Sequence, residues 1–371
     1  MERTKRQSNF ELLRIFAIIM IILFHIQKDG PQQLLTSDSG YFTQPIIYLR
    51  LLVLEIGVPL GMIGNGLFIV ISGYFMNAND HINTGKIAKK LMLQLGFAVL
   101  LLMTAYAVCI TFFKNASESY KTITMDFFNS NWWFVGYYFA IIILAKLFLN
   151  RFTAKLTRSQ FTALLLTILA VTQFSWTGNL LDSLALYLRT LTIGVFYFLL
   201  GGYIARYNPF EKLKTSALFL TIAAAYAVRF LSAFNMVSQS IYEFVKSNSD
   251  GSHIPLFQGY CNYEITVVIL IICIFELFKR LNVPHNAAID FIGKSTLMIY
   301  FIHENGLFHS FYISDNWVET LSASVGLYLL KWFKWAAIAF AAGLAAYVLY
   351  TLLGKLLPRM RSWFFVQESS E

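Results

Sequence analysis

Charge is scarce in this chain. Only 13% of its 371 residues are Asp, Glu, Lys or Arg, about half the share of a soluble domain. Cysteine is scarcer still: Cys109, Cys261 and Cys273 are odd in number, widely spaced and set in or beside apolar runs. That pattern excludes a disulfide framework and shows no metal-ligand spacing, so the three read as packing residues. No connector is long enough to form a soluble domain, no sequence repeat is evident, and no small-x-small cleavage site follows the first apolar run. That run therefore reads as a retained helix despite the basic stretch Arg3 to Arg6 before it.

What is abundant is apolar surface. Hydrophobic residues make up 57% of the chain, with 35 Phe among them. A soluble fold of this length would leave large sticky patches, whereas lipid accepts the outer faces of helices. Runs long enough to span the roughly 30 Å hydrocarbon core fall at 11–28, 51–76, 90–113, 132–149, 160–177, 187–204, 215–235, 260–279, 288–311 and 329–353. The predicted fold is all-α: a polytopic bundle of about ten transmembrane helices in one domain over 11–353, between short ends at 1–10 and 354–371.

The net charge of +9 is explained by topology and requires no nucleic-acid partner. With both termini in the cytoplasm, the inner connectors hold about fifteen Lys and Arg, and the outer ones only Arg50, Lys114, Lys121 and Lys246. The longest outer connector, 236–259, is polar and reads either as a cover over an outward-facing site or as a plain linker.

Ionisable side chains within apolar runs are costly and tend to line protein cavities. The first run carries Glu11, Arg14 and His25. Arg14 and His25 are eleven positions apart, which puts them on nearly one helical face, about 16 Å apart along the axis. A neutral imidazole there suits proton abstraction from a hydroxyl; a packing histidine fits the same position. The second run ends in small residues around Ser72 and Gly73, which allow close helix approach. Lys86, Lys89 and Lys90 follow as either a phosphate-binding cluster or a positive-inside anchor. Trp132 and Trp133 open the fourth run where an interfacial belt is expected. The ninth carries Tyr300, His303 and Glu304; adjacent positions on a helix face about 100° apart, so His303 and Glu304 need not meet the same group, but they can line one cavity with Tyr300 one turn below Glu304. Glu55, Arg189, Arg229 and Glu264 sit near outer ends, where snorkelling accounts for them.

Taken in order, these pieces resemble the membrane O-acyltransferases of acyltransferase family 3, over roughly 8–350. The most specific element is carboxylate, Leu-Arg, ten residues, then His: Glu11, Arg14 and His25, with Glu where many members have Asp. Phe68 to Phe75 matches the Phe-x-x-x-Ser-Gly-Tyr/Phe segment, Ser295 to His303 the Ser-x-x-x-Tyr-x-x-His element, and Phe198 to Tyr203 a Phe-Leu-Leu-Gly-Gly-Tyr stretch. Lysines stand at 86, 89 and 90 where the family often has arginines, and Lys lacks the bidentate fork of Arg.

The resemblance implies transfer of an acyl group, usually acetyl, from cytoplasmic acyl-CoA to a hydroxyl of a cell-surface or lipid-linked glycan, in a multi-pass plasma-membrane protein. It implies His25 as the catalytic residue, as base or transient acyl carrier, with Arg14 as partner and His303 and Glu304 as orienting or relay groups. Arg14, Ser72, Lys86, Lys89 and Lys90 are then expected at the acyl-CoA, and Trp132, Trp133 and Tyr300 at the substrate. No metal ion is expected. Some relatives carry a fused extracytoplasmic esterase-like domain; the expectation is that this chain lacks one, so that a separate transferase would supply any such step. A transporter or flippase suits intramembrane charges equally, but no inverted repeat supports it. A glycan polymerase would usually need a larger outer loop.

Overall fold

The computed structural model describes residues 7–32, 50, 52–77, 82–112, 132–184, 188–247 and 264–356. The described residues are 88% helical, with no strand among them. In chain order the helices are α1 (Ser8–Gln27), α2 (Leu60–Met76), α3 (Thr84–Phe112), α4 (Trp133–Leu144), α5 (Arg158–Gln173), α6 (Ser175–Leu184), α7 (Leu188–Tyr207), α8 (Thr215–Ser247), α9 (Ile265–Arg280), α10 (Ala287–His303), α11 (Gly306–Ile313), α12 (Trp317–Ala323) and α13 (Val325–Leu356). A single helical turn, Leu54–Gly57, precedes α2. Helix continues past α4 through Ala145–Leu149 and Asn150–Ala154.

Each of the ten apolar runs forms helix within its described residues, but they do not all span alike. Among the described residues, seven helices are long and apolar enough to cross a membrane, or eight with one bent pair counted as a span. The fifth run breaks after Gln173, where α5 and α6 meet at 81°. The eighth and ninth form helices of only 16 and 17 residues, short of the roughly 20 a full span requires. The expected outer connector 236–259 is helical as far as Ser247, because α8 runs on well past residue 235; its remainder lies outside the described residues, as do Arg3 to Arg6, Cys261 and the side chain of Cys109. Cys273 is a buried free thiol.

α1 is the axle of the bundle. It packs on α2, α9, α10 and α13, and it is apolar around much of its circumference, with Phe10, Leu13, Ile18, Ile22 and Ile26 all buried. A helix apolar on all sides belongs in an interior, so a polar residue on it is held inside protein. Its start is pinned to the α9–α10 connection: the Ser8 hydroxyl donates to Asp290 (3.2 Å) and accepts from the Asn286 N–H (3.0 Å). At its far end Trp332 of α13 donates to the Leu23 carbonyl at 2.8 Å.

Glycine sets the closest helix approach. A Cβ at Gly73 of α2 would strike the backbone carbonyl of Phe198 on α7, and one at Gly201 would strike that of Val70. The small residues of the second run and of the Phe198 to Tyr203 stretch thus serve one joint, as expected where association rests on packing instead of water exclusion. The same logic fixes α10 to α13, where a Cβ at Gly343 would fall 2.5 Å from Ile299 Cα.

Of the intramembrane charges, Arg189 and Glu55 are buried and Arg229 is paired inside the bundle, contrary to the snorkelling expectation, while its partner Glu264 is 32% exposed. Arg189 is buried and donates to the Thr172 carbonyl from Nε (2.8 Å) and NH2 (2.5 Å). Arg229 forms an ion pair with Glu264, and Glu55 is buried. Bringing a charge inside the bundle is offset by partners, and the helices supply them.

Candidate active site

Two features lie along one face of α1. The first is a cavity of about 280 Å³ lined by Arg14, Ile18 and Ile21 of α1, Phe68 and Ser72 of α2, Lys90 of α3, Phe134 and Tyr138 of α4, and Lys294 and Tyr300 of α10. Three cations thus border a mostly apolar pocket. Arg14 forms an ion pair with Glu11 one turn before it. Glu11 has room for this because position 293 of α10 is glycine, where a Cβ would meet the Glu11 carboxylate. The Ser72 hydroxyl donates to the Phe68 carbonyl at 2.8 Å and lies 3.4 Å from the Tyr138 hydroxyl.

Residues 14, 18 and 21 recur at helical spacing, and the next position on that face is His25, about 6 Å further along the axis. The second feature is centred there. His25 Nδ1 lies 3.0 Å from His303 Nε2 and 2.7 Å from Glu304 Oε2. The Tyr300 ring, which closes the cavity, lies 5.9 Å from that of His303, centroid to centroid.

His303 and Glu304 converge because the helix ends between them. Glu304 caps α10 with φ −95° and ψ 69°, so its side chain is released from the helical 100° step. Its backbone is held by Trp132, whose indole N–H donates to the Glu304 carbonyl at 2.9 Å. Asn305 then caps α11, accepting from the N–H groups of Leu307 (2.9 Å) and Phe308 (3.3 Å).

The partners fix the tautomers. His303 Nδ1 lies 2.8 Å from the Ile299 carbonyl, which only accepts, so Nδ1 is the donor. In the neutral ring Nε2 is then a lone pair. Facing that lone pair and a carboxylate, His25 Nδ1 must carry a proton. The lone pair of neutral His25 is therefore on Nε2, free to take a proton from a substrate.

The structure gathers Arg14, Ser72, Lys90 and Tyr300 at the cavity, and His25, His303, Glu304 and Trp132 around the imidazole. Lys86 and Lys89 are exposed on the first turns of α3 and do not line the cavity, although Lys86 precedes Lys90 by one turn on the same face. Trp132 is buried and not part of an interfacial belt; Trp133 is 41% exposed, and its ring packs on Tyr137. Lys294, Asp29 and His309 were not singled out from sequence. Lys294 had a readable signal, a lone cation just inside a membrane run. Asp29 lies on a π-helical turn, Lys28–Gln32, that follows α1, and His309 reaches it from α11 at 3.4 Å.

A bundle of apolar helices around a buried imidazole, next to a cation-rimmed cavity, defines an integral membrane protein. The particular kind is given by comparison with known families: residues 7–351 match the acyltransferase domain model of acyltransferase family 3. The chain belongs to that family and is a membrane O-acyltransferase. No curated protein and no solved structure matches it significantly.

Proposed function

We propose that the protein moves an acyl group, acetyl in the simplest case, from cytoplasmic acyl-CoA to a hydroxyl of a cell-surface or lipid-linked glycan at the plasma membrane, with His25 as the catalytic base. The observation that carries this reading is the arrangement of His25: Nδ1 is engaged by His303 and Glu304, and Nε2 is left as the available lone pair, one turn beyond a cavity rimmed by Arg14, Lys90 and Lys294.

The cations meet the phosphates of CoA, with Lys86 and Lys89 extending the positive field outward. The acyl arm runs along the apolar wall towards Tyr300. His25 Nε2 takes the proton from the acceptor hydroxyl, whose oxygen attacks the thioester carbonyl. The new C–O bond forms and the C–S bond breaks. The leaving thiolate receives the proton from the imidazolium, giving ester and free CoA. Glu304, 2.7 Å from Nδ1, stabilises that imidazolium, and His303 helps to hold the ring. The chemistry requires no metal ion. If the acyl group first rests on His25, the same Nε2 carries it, and the balance of atoms is unchanged.

The test is release of CoA and transfer of label from radiolabelled acetyl-CoA to added glycan by protein in liposomes. Wild type should turn over, and His25→Ala should not, while remaining folded and membrane-inserted. Full activity in His25→Ala would end the proposal.

A further inference from the structure

Beyond the imidazole network lie Asp29 and His309, to which the acyl-transfer reading gives no role, both within reach of the Glu304 carboxylate. We propose that Asp29, Glu304 and His309 form a binding site for one divalent cation of the zinc type. The inference is independent of acyl transfer.

The spacing is the first argument. His309 Nε2 lies 3.4 Å from Asp29 Oδ2 and 3.7 Å from Glu304 Oε2, and the ligand atoms of all three residues lie within 4.8 Å of one another. A charge-assisted histidine–carboxylate hydrogen bond closes to about 2.7–2.9 Å, so these separations are too long. Two ligands bound to one tetrahedral ion at about 2.0–2.1 Å stand about 3.4 Å apart, which fits. The neighbouring trio of His25, His303 and Glu304 fails the same comparison. Its contacts of 3.0 and 2.7 Å are direct hydrogen-bond distances, and both converge on His25 Nδ1.

The second argument is satisfaction. Asp29 Oδ2 and His309 Nε2 are buried atoms without a well-formed hydrogen bond, Glu304 Oε2 has His25 Nδ1 at 2.7 Å and room for a second partner, and Asp29 and Glu304 are 9% and 4% exposed as residues. Buried polar groups left in that state are costly and call for a further partner such as water or an ion. Lys28 Nζ, 3.5 Å from Asp29 Oδ1 on an exposed side chain, neutralises only the outer oxygen. Two carboxylates facing one imidazole suit a divalent cation, and three protein ligands leave a fourth position open.

The ligands come from three elements: the π-helical turn after α1, the end of α10, and α11. A bound ion would tie them together and fix Glu304, whose Oε2 also faces His25. No metal is expected from the sequence, in which residues 29, 304 and 309 have no recognisable ligand spacing; only the fold unites them.

The experiment uses purified full-length protein, stripped with chelator, equilibrated with ZnCl2, freed of unbound metal and analysed for bound zinc by mass spectrometry. A parallel Co2+ titration reads ligand-field absorbance. Wild type should hold about one equivalent. Asp29→Asn and His309→Gln should each weaken binding at least ~10-fold, and His285→Ala, at an exposed histidine outside the cluster, should not. His309→Cys keeps a ligand atom and should add thiolate-to-cobalt charge-transfer absorption. A wild type that retains no zinc and gives no tetrahedral cobalt spectrum would overturn the proposal and leave the cluster bridged by water. Zinc retention in Asp29→Asn and His309→Gln equal to wild type would overturn it as well.

Discussion

Replacing Glu304 by glutamine removes a charge from Nδ1 of His25 and keeps nearly the same shape. The carboxylate lies 2.7 Å from that nitrogen, and a hydrogen bond to a charged group contributes about 1.5–3 kcal/mol. Because the charge matters most when His25 becomes imidazolium, the loss should fall on kcat, by about 10- to 100-fold. It should be smaller than the ~10⁴-fold loss when the aspartate of a serine-protease triad becomes asparagine. There the wrong tautomer takes over, whereas here His303 Nε2, 3.0 Å away, still accepts from Nδ1. His303→Gln should therefore also be tolerated in part, and the double variant should lose more than the product of the two single losses. The KM for acyl-CoA should stay near the wild-type value, because Glu304 does not line the cationic cavity. Steady-state CoA release by the four proteins in liposomes, with acyl-CoA varied, reads both parameters. An unchanged kcat in Glu304→Gln, or a loss confined to KM, would refute the assignment of Glu304 to the imidazolium.

Lys90→Ala and Lys294→Ala should each raise the acyl-CoA KM about 10- to 100-fold with little change in kcat, and raising the salt concentration should weaken wild-type binding too; equal KM values in a titration of CoA release would count against the donor site. Gly73→Ala pushes a Cβ into the Phe198 carbonyl and should destabilise the α2–α7 joint by about 1–3 kcal/mol, seen as a lower melting temperature in detergent. Gly136→Ala, with nothing within 4 Å of its Cβ, should be near neutral. Asp315 lies between α11 and α12, where burial pushes its pKa up, but hydrogen bonds from Trp335 and Lys331 outweigh that and hold it below its ordinary 3.8. A carboxylate with a depressed folded pKa adds stability above its unfolded pKa and loses it as pH falls through the folded value. The melting-temperature gap between wild type and Asp315→Asn should therefore be full at neutral pH and close as pH drops below about 4.

The helices and the first-helix charges were legible because both follow from local sequence. Apolar runs of membrane length mark helices in any context, and eleven residues between Arg14 and His25 fix one face by helical period alone. What failed was set by tertiary structure. Helical geometry left open whether His303 and Glu304 meet one group, and the α10 cap at Glu304 decides it by turning both onto His25. Trp132 followed the interfacial habit of tryptophan in expectation, but its N–H finds the Glu304 carbonyl inside the bundle. Arg189 and Arg229 were expected to reach outward because their partners, the Thr172 carbonyl and Glu264, are distant in sequence. His309 and Asp29 stood near the ends of apolar runs and gave no signal until the fold joined them.

The central claim is that His25 acts in chemistry and not in holding the fold or the donor. The most direct measurement is acetyl-CoA affinity and acetyl-CoA turnover in one preparation each of wild type and His25→Ala. Unchanged affinity with CoA release reduced to background is the predicted result. Turnover close to wild type in His25→Ala, or affinity and turnover lost together, would contradict the account.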